Sequence, residues 1–437
     1  MSISDIAQKL PLGAHYRMER FALVMTSLLV VIGLCVGISF AKNVENNKVT
    51  LGTQALYTTK TATSLTNQQV EVLGVYSNAD RTRVFVACKF DDVSTMPTDA
   101  SDYRMYLSYK QVSGNKMVMD YSTSGSWYVF GSTGVMGALF VNENGFTEQV
   151  LDLTVRADKT LSDTSSSSSS SSDTQTRPSD SEYDQFDILF NPAASAVETI
   201  DSLTDETISS SKLYYDIVGA DDEATVKKRL RADLYTMQTA LDLMTEYESR
   251  LNKQGIVAGE RPDGIKGDSV QGSDETETIK ADGDSTEVKL PVSYKTTFKA
   301  LPNGAYNIEN WQTTTVLDGN YLKNLLKADD MAATTSYVNY VKAKEAAAST
   351  SSSGTSTASL KWYYQDGTEF KQGKDQVSAA IQSDITNLTS AYSQYTSLKN
   401  TYFTTDMGSL LELETVISQL DQVTTRNTSD TALSIYG

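Results

Sequence analysis

The hydrophobic residues of this chain change their spacing across an unbroken serine run, Ser165–Ser172. Before the run, apolar and polar residues alternate, as they do in strands that bury one face. After it, apolar residues recur at every third or fourth position, as on one face of a helix. Serine side chains bury no apolar surface, so the run predicts a flexible linker between two different regions. The length of 437 residues is consistent with such a multi-domain chain.

The region before the linker, residues 66–160, is predicted to form a β-domain. Alternation on both sides of a polar turn puts five residues on one strand face: Val70, Val72, Val84, Val86 and Cys88. Asn144 and Gly145 form a tight-turn signal between two later strands. About six short strands at close spacing predict an antiparallel β-sandwich of immunoglobulin-like type, with a small barrel as the alternative.

The region after the linker is predicted to be mainly helical. One seam of apolar residues with helical spacing consists of Val226, Leu230, Leu234, Met237, Leu241, Met244, Tyr247 and Leu251. A second seam consists of Val377, Ile381, Ile385, Leu388, Tyr392, Tyr395, Leu398 and Tyr402. These seams predict an extended helical bundle or coiled coil, which is also a route to oligomerisation. Small β or loop insertions are predicted at residues 256–318 and 349–374.

The segment from Phe21 to Ala41 contains no charged residue and is long enough to cross a bilayer as a helix. Its predicted membrane-spanning residues include Phe21, Leu28, Leu29, Val30, Val31, Ile32, Leu34, Ile38, Phe40 and Ala41. Cleavage between Ala41 and Lys42 is the alternative, but the length of the apolar run favours a retained single-pass anchor. The long remainder of the chain predicts a cytoplasmic N-terminus and an extracellular bulk at a cell membrane.

These patterns divide the chain into six predicted segments. They are a short cytoplasmic tail (1–20), a transmembrane helix (21–41), a polar stalk (42–65), a β-sandwich domain (66–160), a serine-rich linker (161–182) and a helical region (183–437).

The charge and the rare residues exclude several classes of function. The net charge is −18, which argues against nucleic-acid binding, since that needs basic surfaces. The only histidine is His15, so the predicted extracellular part has neither a Ser-His-Asp triad nor the usual zinc ligands. Cys35 lies in the apolar segment and leaves Cys88 without a disulfide partner. A cysteine-poor exported chain is typical of a Gram-positive bacterium.

No motif in the sequence predicts a catalytic, cofactor-binding or metal site. Asp221, Asp222 and Glu223 are better explained as helix N-terminal charges than as a site. The acidic loop that contains Asp282, Asp284 and Glu287 lacks the spacing of a calcium-binding loop. The candidate contact residues are tyrosines: Tyr214, Tyr215, Tyr363 and Tyr364.

The sequence therefore predicts a non-enzymatic, membrane-anchored bacterial cell-surface protein that acts through protein–protein or cell–cell contact. Two roles remain open: an envelope scaffold in a secretion or conjugation apparatus, and an adhesin. The alternatives are an extracellular cell-wall enzyme that uses carboxylates, and a sensor or signalling partner. The expected partners are proteins and a membrane, without nucleic acid or cofactor.

Overall fold

The chain folds into two compact units that are interleaved along the sequence. In the computed structural model, the described residues are 52–94, 96–110, 120–158, 183–280, 287–350, 360–371 and 377–436. Unit 1 contains residues 1–207 and 424–437, and unit 2 contains residues 208–423. Unit 2 is thus an insertion between two parts of unit 1.

Unit 1 is built from two β-sheets. Its described strands are β1 (Lys60–Ala62), β2 (Gln69–Ser77), β3 (Arg83–Phe90), β4 (Tyr103–Tyr109), β5 (Ser124–Val129), β6 (Val135–Val141), β7 (Leu151–Ala157), β8 (Asp184–Phe190), β9 (Glu198–Thr199), β17 (Thr425–Asn427) and β18 (Leu433–Tyr436). One sheet has the order β1-β2-β3-β6-β5-β17, with β9 paired to β2. The other has the order β18-β4-β7-β8.

Side chains from both sheets of unit 1 share one hydrophobic core. Val86 and Phe140 come from the first sheet, and Leu153 and Ile188 come from the second. All four are essentially inaccessible to solvent. Alternation along each strand explains this arrangement, because successive side chains point to opposite faces. The side chains at the intervening strand positions therefore form the outer face of the second sheet.

Unit 2 combines helices with three small sheets. Its helical segments are α1 (Ser210–Tyr214), a π-helical turn π1 (Tyr215–Gly219), α2 (Ala220–Lys253), α3 (Tyr321–Ala328), α4 (Tyr337–Thr350), α5 (Ala379–Thr401), a second π-helical turn π2 (Tyr402–Asp406) and α6 (Met407–Val423). Its described strands are β10 (Ile256–Ala258), β11 (Ser269–Gly272), β12 (Thr276–Lys280), β13 (Glu287–Pro291), β14 (Tyr294–Thr297), β15 (Trp362–Tyr364) and β16 (Glu369–Phe370).

Local signals explain where the long helices of unit 2 begin and end. Segments α1, π1 and α2 run on without a break, as do α5, π2 and α6, so the described part of unit 2 has four helices. Ser209 caps α1 and Ser378 caps α5, each side chain accepting the N–H three residues onward. Gly255 follows α2 with a φ of 88°, a conformation that suits glycine at a helix end.

The predicted fold class is wrong. The described residues form a mixed α/β structure with five sheets and few helices, and no coiled-coil bundle is present among them. The strands of unit 1 are not restricted to residues 66–160, and two pairings, β18 with β4 and β9 with β2, are parallel. The seam spacing misled the prediction because it is the same for a coiled coil and for a helix that packs on a compact core.

The predicted membrane attachment is also corrected. Among the described residues, no helix combines the length and the apolar composition needed to cross a bilayer. The single-pass anchor, the membrane partner and the localisation at a cell membrane therefore conflict with the structure. The segment Phe21–Ala41 lies outside the described residues, as do the tail 1–20, residues 42–51 of the stalk and the linker 161–182.

Candidate functional site

A row of tyrosine and arginine side chains crosses the outer face of the β18-β4-β7-β8 sheet. Met105 and Leu107 of β4 point into the core, so Arg104 and Tyr106 lie on the opposite face. We call the whole set the tyrosine–arginine strip; its members are Arg104, Tyr106, Arg156, Asp158, Tyr183 and Tyr436. All of them belong to unit 1.

The centre of the strip is a guanidinium group between two aromatic rings. The Cζ atom of Arg156 lies 4.2 Å from the ring centroid of Tyr183 and 5.2 Å from that of Tyr106. The Tyr106 ring stacks in turn on Tyr436, with centroids 5.8 Å apart and planes at 25°. Each cation–π contact contributes about 0.5–2 kcal/mol, depending on its exposure. The four side chains therefore form one continuous row of stacked groups.

Asp158 bridges two arginines that lie opposite each other on neighbouring strands. Arg104 of β4 is directly opposite Arg156 of β7, an arrangement that is unfavourable for like charges. Both Nε–H groups donate to Asp158, each at 2.8 Å. The side chain of Arg156 is only 12% exposed, whereas that of Arg104 is 45% exposed. Asp158 thus orients Arg104, whose side chain remains partly exposed.

The phenols of Tyr106 and Tyr436 stay protonated at neutral pH. Burial raises the pKa of Tyr106; the positive charge of Arg156 opposes this effect and the negative charge of Asp158 adds to it. Burial also raises the pKa of Tyr436. Both hydroxyls can therefore donate and accept hydrogen bonds.

The predicted helix seam lies inside unit 2. Leu230, Leu234, Met237, Met244 and Leu251 are fully buried on α2, and Val226 and Leu241 are nearly so. These side chains face the core that α2 forms with α5, where Leu388 and Tyr392 are also buried.

The acidic residues singled out in the sequence have different environments. Asp221 and Asp222 are exposed in the first turn of α2. Glu223 is buried; it accepts a hydrogen bond from the Tyr215 hydroxyl at 2.8 Å and pairs with Lys227 at 2.7 Å. Asp282 and Asp284 lie outside the described residues. No group of histidine, cysteine or acidic side chains with metal-binding geometry occurs in the described part of the chain.

The cysteine and the candidate tyrosines also have defined places. Cys88 is fully buried in unit 1, and burial raises the pKa of its thiol. Tyr214 is buried in unit 2. The ring of Tyr364 meets that of Phe370 edge-on, with centroids 5.6 Å apart. His15 lies outside the described residues.

Unit 2 also brings together a carboxylate pair that the sequence did not identify. Asp233 of α2 and Asp406 of π2 are close enough to form a hydrogen bond when one of the two carboxyl groups is protonated. Burial is the main cause that raises the pKa of Asp233 to about 7; the hydrogen bond and the charge of Asp406 add to it, and Arg229 opposes it. Arg229 pairs with Asp406 at 3.5 Å. The two acids lie far apart in the sequence, so no spacing pattern could have linked them.

No protein-family model matches the chain, and no curated protein or solved structure shows significant similarity to it.

Sequence reasoning missed the strip because its members are separated by most of the chain. Tyr436 comes from the C-terminal strand, and Tyr183 directly precedes β8. The one available signal was the alternation of Arg104 and Tyr106 with apolar residues in β4, which marks them as outward-facing.

Proposed function

We propose that this chain is a non-enzymatic protein that binds another protein through the tyrosine–arginine strip of unit 1. The observation that supports this proposal is the stacked row Tyr436, Tyr106, Arg156 and Tyr183, with the exposed Arg104 opposite Arg156. Tyrosine and arginine are the residue types that most often dominate the binding energy of protein interfaces. A row that is already ordered loses little conformational entropy when a partner binds.

The charge of the strip indicates which chemical groups its partner carries. The Nε–H of Arg104 is held by Asp158, and the rest of its guanidinium has no other ion-pair partner among the described residues. Lys110, just after β4, is also largely exposed; its nearest carboxylate, on Asp152, is 3.9 Å away. An oriented guanidinium is suited to bidentate contact with a carboxylate. The proposed partner is therefore a protein segment with an acidic side chain next to aromatic or apolar residues.

Selection from a random-peptide phage library against the intact protein tests this proposal. We expect enrichment of peptides that combine Asp or Glu with aromatic residues. Arg104→Glu should weaken their binding by roughly tenfold or more, because it replaces attraction by repulsion.

The matched control is Lys89→Glu, which makes the same charge change at an exposed position of β3 in the other sheet. This variant should bind the selected peptides like the wild type, and circular dichroism should show that both variants fold. The proposal fails if no peptide is enriched, or if the enriched peptides bind Arg104→Glu as tightly as the wild type.

A further inference from the structure

Lys399 and Asp268 form the most deeply buried ion pair of the described residues, and both belong to unit 2. Lys399 lies on α5, and Asp268 directly precedes β11. Only 4% of the lysine side chain and none of the aspartate side chain is exposed. Taking two charges out of water is unfavourable, and their attraction offsets this cost only where the geometry is good and further hydrogen bonds are made. The groups around the pair therefore decide its chemistry.

Hydrogen bonds from several sides hold the pair in place. Nζ of Lys399 lies 2.5 Å from Oδ2 of Asp268 and donates to the Gly264 carbonyl at 2.9 Å. Tyr395, one turn earlier on the same face of α5, donates its hydroxyl to the same Oδ2 at 2.9 Å. The Lys299 N–H donates to the other oxygen, Oδ1, at 2.9 Å. The amine and both carboxyl oxygens are thus fixed against each other.

The pairing of β11 with β14 places an aromatic ring beside these charges. Ser269 is opposite Thr297, so the next positions outward, Asp268 and Phe298, are also brought together. The ring centroid of Phe298 lies 5.3 Å from Nζ of Lys399. That ring meets the Phe403 ring edge-on, with centroids 5.0 Å apart. In such surroundings a neutral product is favoured over two separate charges.

We propose that Lys399 and Asp268 condense into an intramolecular amide that cross-links α5 to the segment before β11. Nζ of Lys399 forms a bond to Cγ of Asp268, the bond between Cγ and Oδ2 breaks, and Oδ2 leaves as water. The ammonium group begins with three protons. One stays on the amide nitrogen and the other two leave with the water, so no oxidant, reductant or further reactant takes part.

The hydrogen bonds around the pair suit both the reaction and its product. Holding the amine against the carboxyl group replaces a bimolecular encounter by an intramolecular one. The Lys299 N–H can stabilise the negative charge that develops on Oδ1 during the attack, and the Tyr395 hydroxyl donates to the leaving oxygen. Burial, followed by the charge of Asp268, raises the pKa of Tyr395, so this hydroxyl keeps its proton. In the product, the Lys299 N–H and the Gly264 carbonyl remain as partners of the amide oxygen and the amide N–H.

Mass spectrometry of the full chain tests the cross-link. We expect the wild-type mass to be lower by one water molecule than its sequence requires, and a tryptic digest to contain a peptide pair joined between Asp268 and Lys399. Lys399→Arg keeps a cation beside Asp268, but its guanidinium stays protonated and cannot attack, so this variant should have its full mass. Lys227→Arg, at the less buried pair of Lys227 with Glu223, is the matched control and should retain the cross-link.

Two results would overturn the proposal. A wild-type mass that contains every atom of the sequence would show that Lys399 and Asp268 form an ion pair only. Loss of one water without the joined peptide pair would show that the chain is dehydrated at another place. Both results are obtained with the wild-type protein, so they decide the question even if a variant does not fold.

Discussion

Among single residues, Asp233 allows the clearest prediction, which concerns how the folding stability depends on pH. Its carboxyl is partly buried beside Asp406, and these surroundings raise its pKa to about 7. In the unfolded chain the same group titrates near pH 3.9. Between these two values the folded protein holds a proton that the unfolded chain has lost. The stability contributed by this group therefore falls as pH rises from about 4 to 7, and is constant above that range.

Asp233→Asn should remove this pH dependence, because an amide resembles the protonated acid. The unfolding free energy of the variant minus that of the wild type should be about 1–2 kcal/mol larger at pH 8 than at pH 5. This value is reduced for the solvent screening of a partly exposed group. Urea unfolding at both pH values measures the difference. Asp242→Asn, at an exposed position of α2, is the control. An equal difference between Asp233→Asn and wild type at both pH values would contradict the prediction.

Among the elements, helix α3 obtains its N-terminal cap from a distant helix. Asn320 precedes α3 in a left-handed conformation, with φ of 49°, and its side chain makes no capping bond. Glu414 of α6 takes that role: its carboxylate accepts the N–H of Tyr321 and, at 2.7 Å, the N–H of Leu322. Burial raises the pKa of Glu414, and these two bonds counteract the rise. These two hydrogen bonds thus hold the start of α3 against α6.

Glu414→Ala should leave the buried N–H of Tyr321 and the partly buried N–H of Leu322 without this acceptor. We expect a loss of roughly 1–2 kcal/mol in unfolding free energy and faster hydrogen exchange at the α3 amides. Glu412→Ala, at an exposed position of the same helix, should change neither quantity. Protection of the α3 amides that is unchanged in Glu414→Ala would rule out this capping role.

The individual strands also show how much of the fold could be predicted from the sequence. Val70, Val72, Val84, Val86 and Cys88, which alternation placed on one face, all lie in the core of unit 1. Alternation shows which face of a strand is buried, but it carries no information on which strand lies beside it. The pairings of β8, β17 and β18 join residues that are distant in the chain, so the strip remained hidden.

In the whole molecule, unit 1 is completed by residues that follow unit 2. Strand β17 pairs with β5, and β18 pairs with β4. Ala432, between these strands, is buried in the core, and Asn427 of β17 donates from Nδ2 to the Tyr103 carbonyl at 3.0 Å. The two ends of unit 2 also meet: Asp421 accepts hydrogen bonds from the Ser209 hydroxyl at 3.1 Å and the Ser210 N–H at 2.7 Å. An insertion with adjacent ends can be removed without stretching its host.

Two deletions should therefore have opposite effects on unit 1. A chain that stops at Val423 lacks β17 and β18, and we expect it to lose the cooperative unfolding of unit 1 and the protection of the β4 and β5 amides from hydrogen exchange. A chain in which a short Gly/Ser linker replaces residues 208–423 keeps both strands and should retain that protection. The linker only has to span the small gap between Thr207 and Thr424, because the ends of unit 2 are hydrogen-bonded to each other. Full protection of β4 and β5 in the truncated chain would show that the C-terminal strands do not stabilise unit 1, and loss of protection in the linked chain would show that unit 1 depends on the insertion.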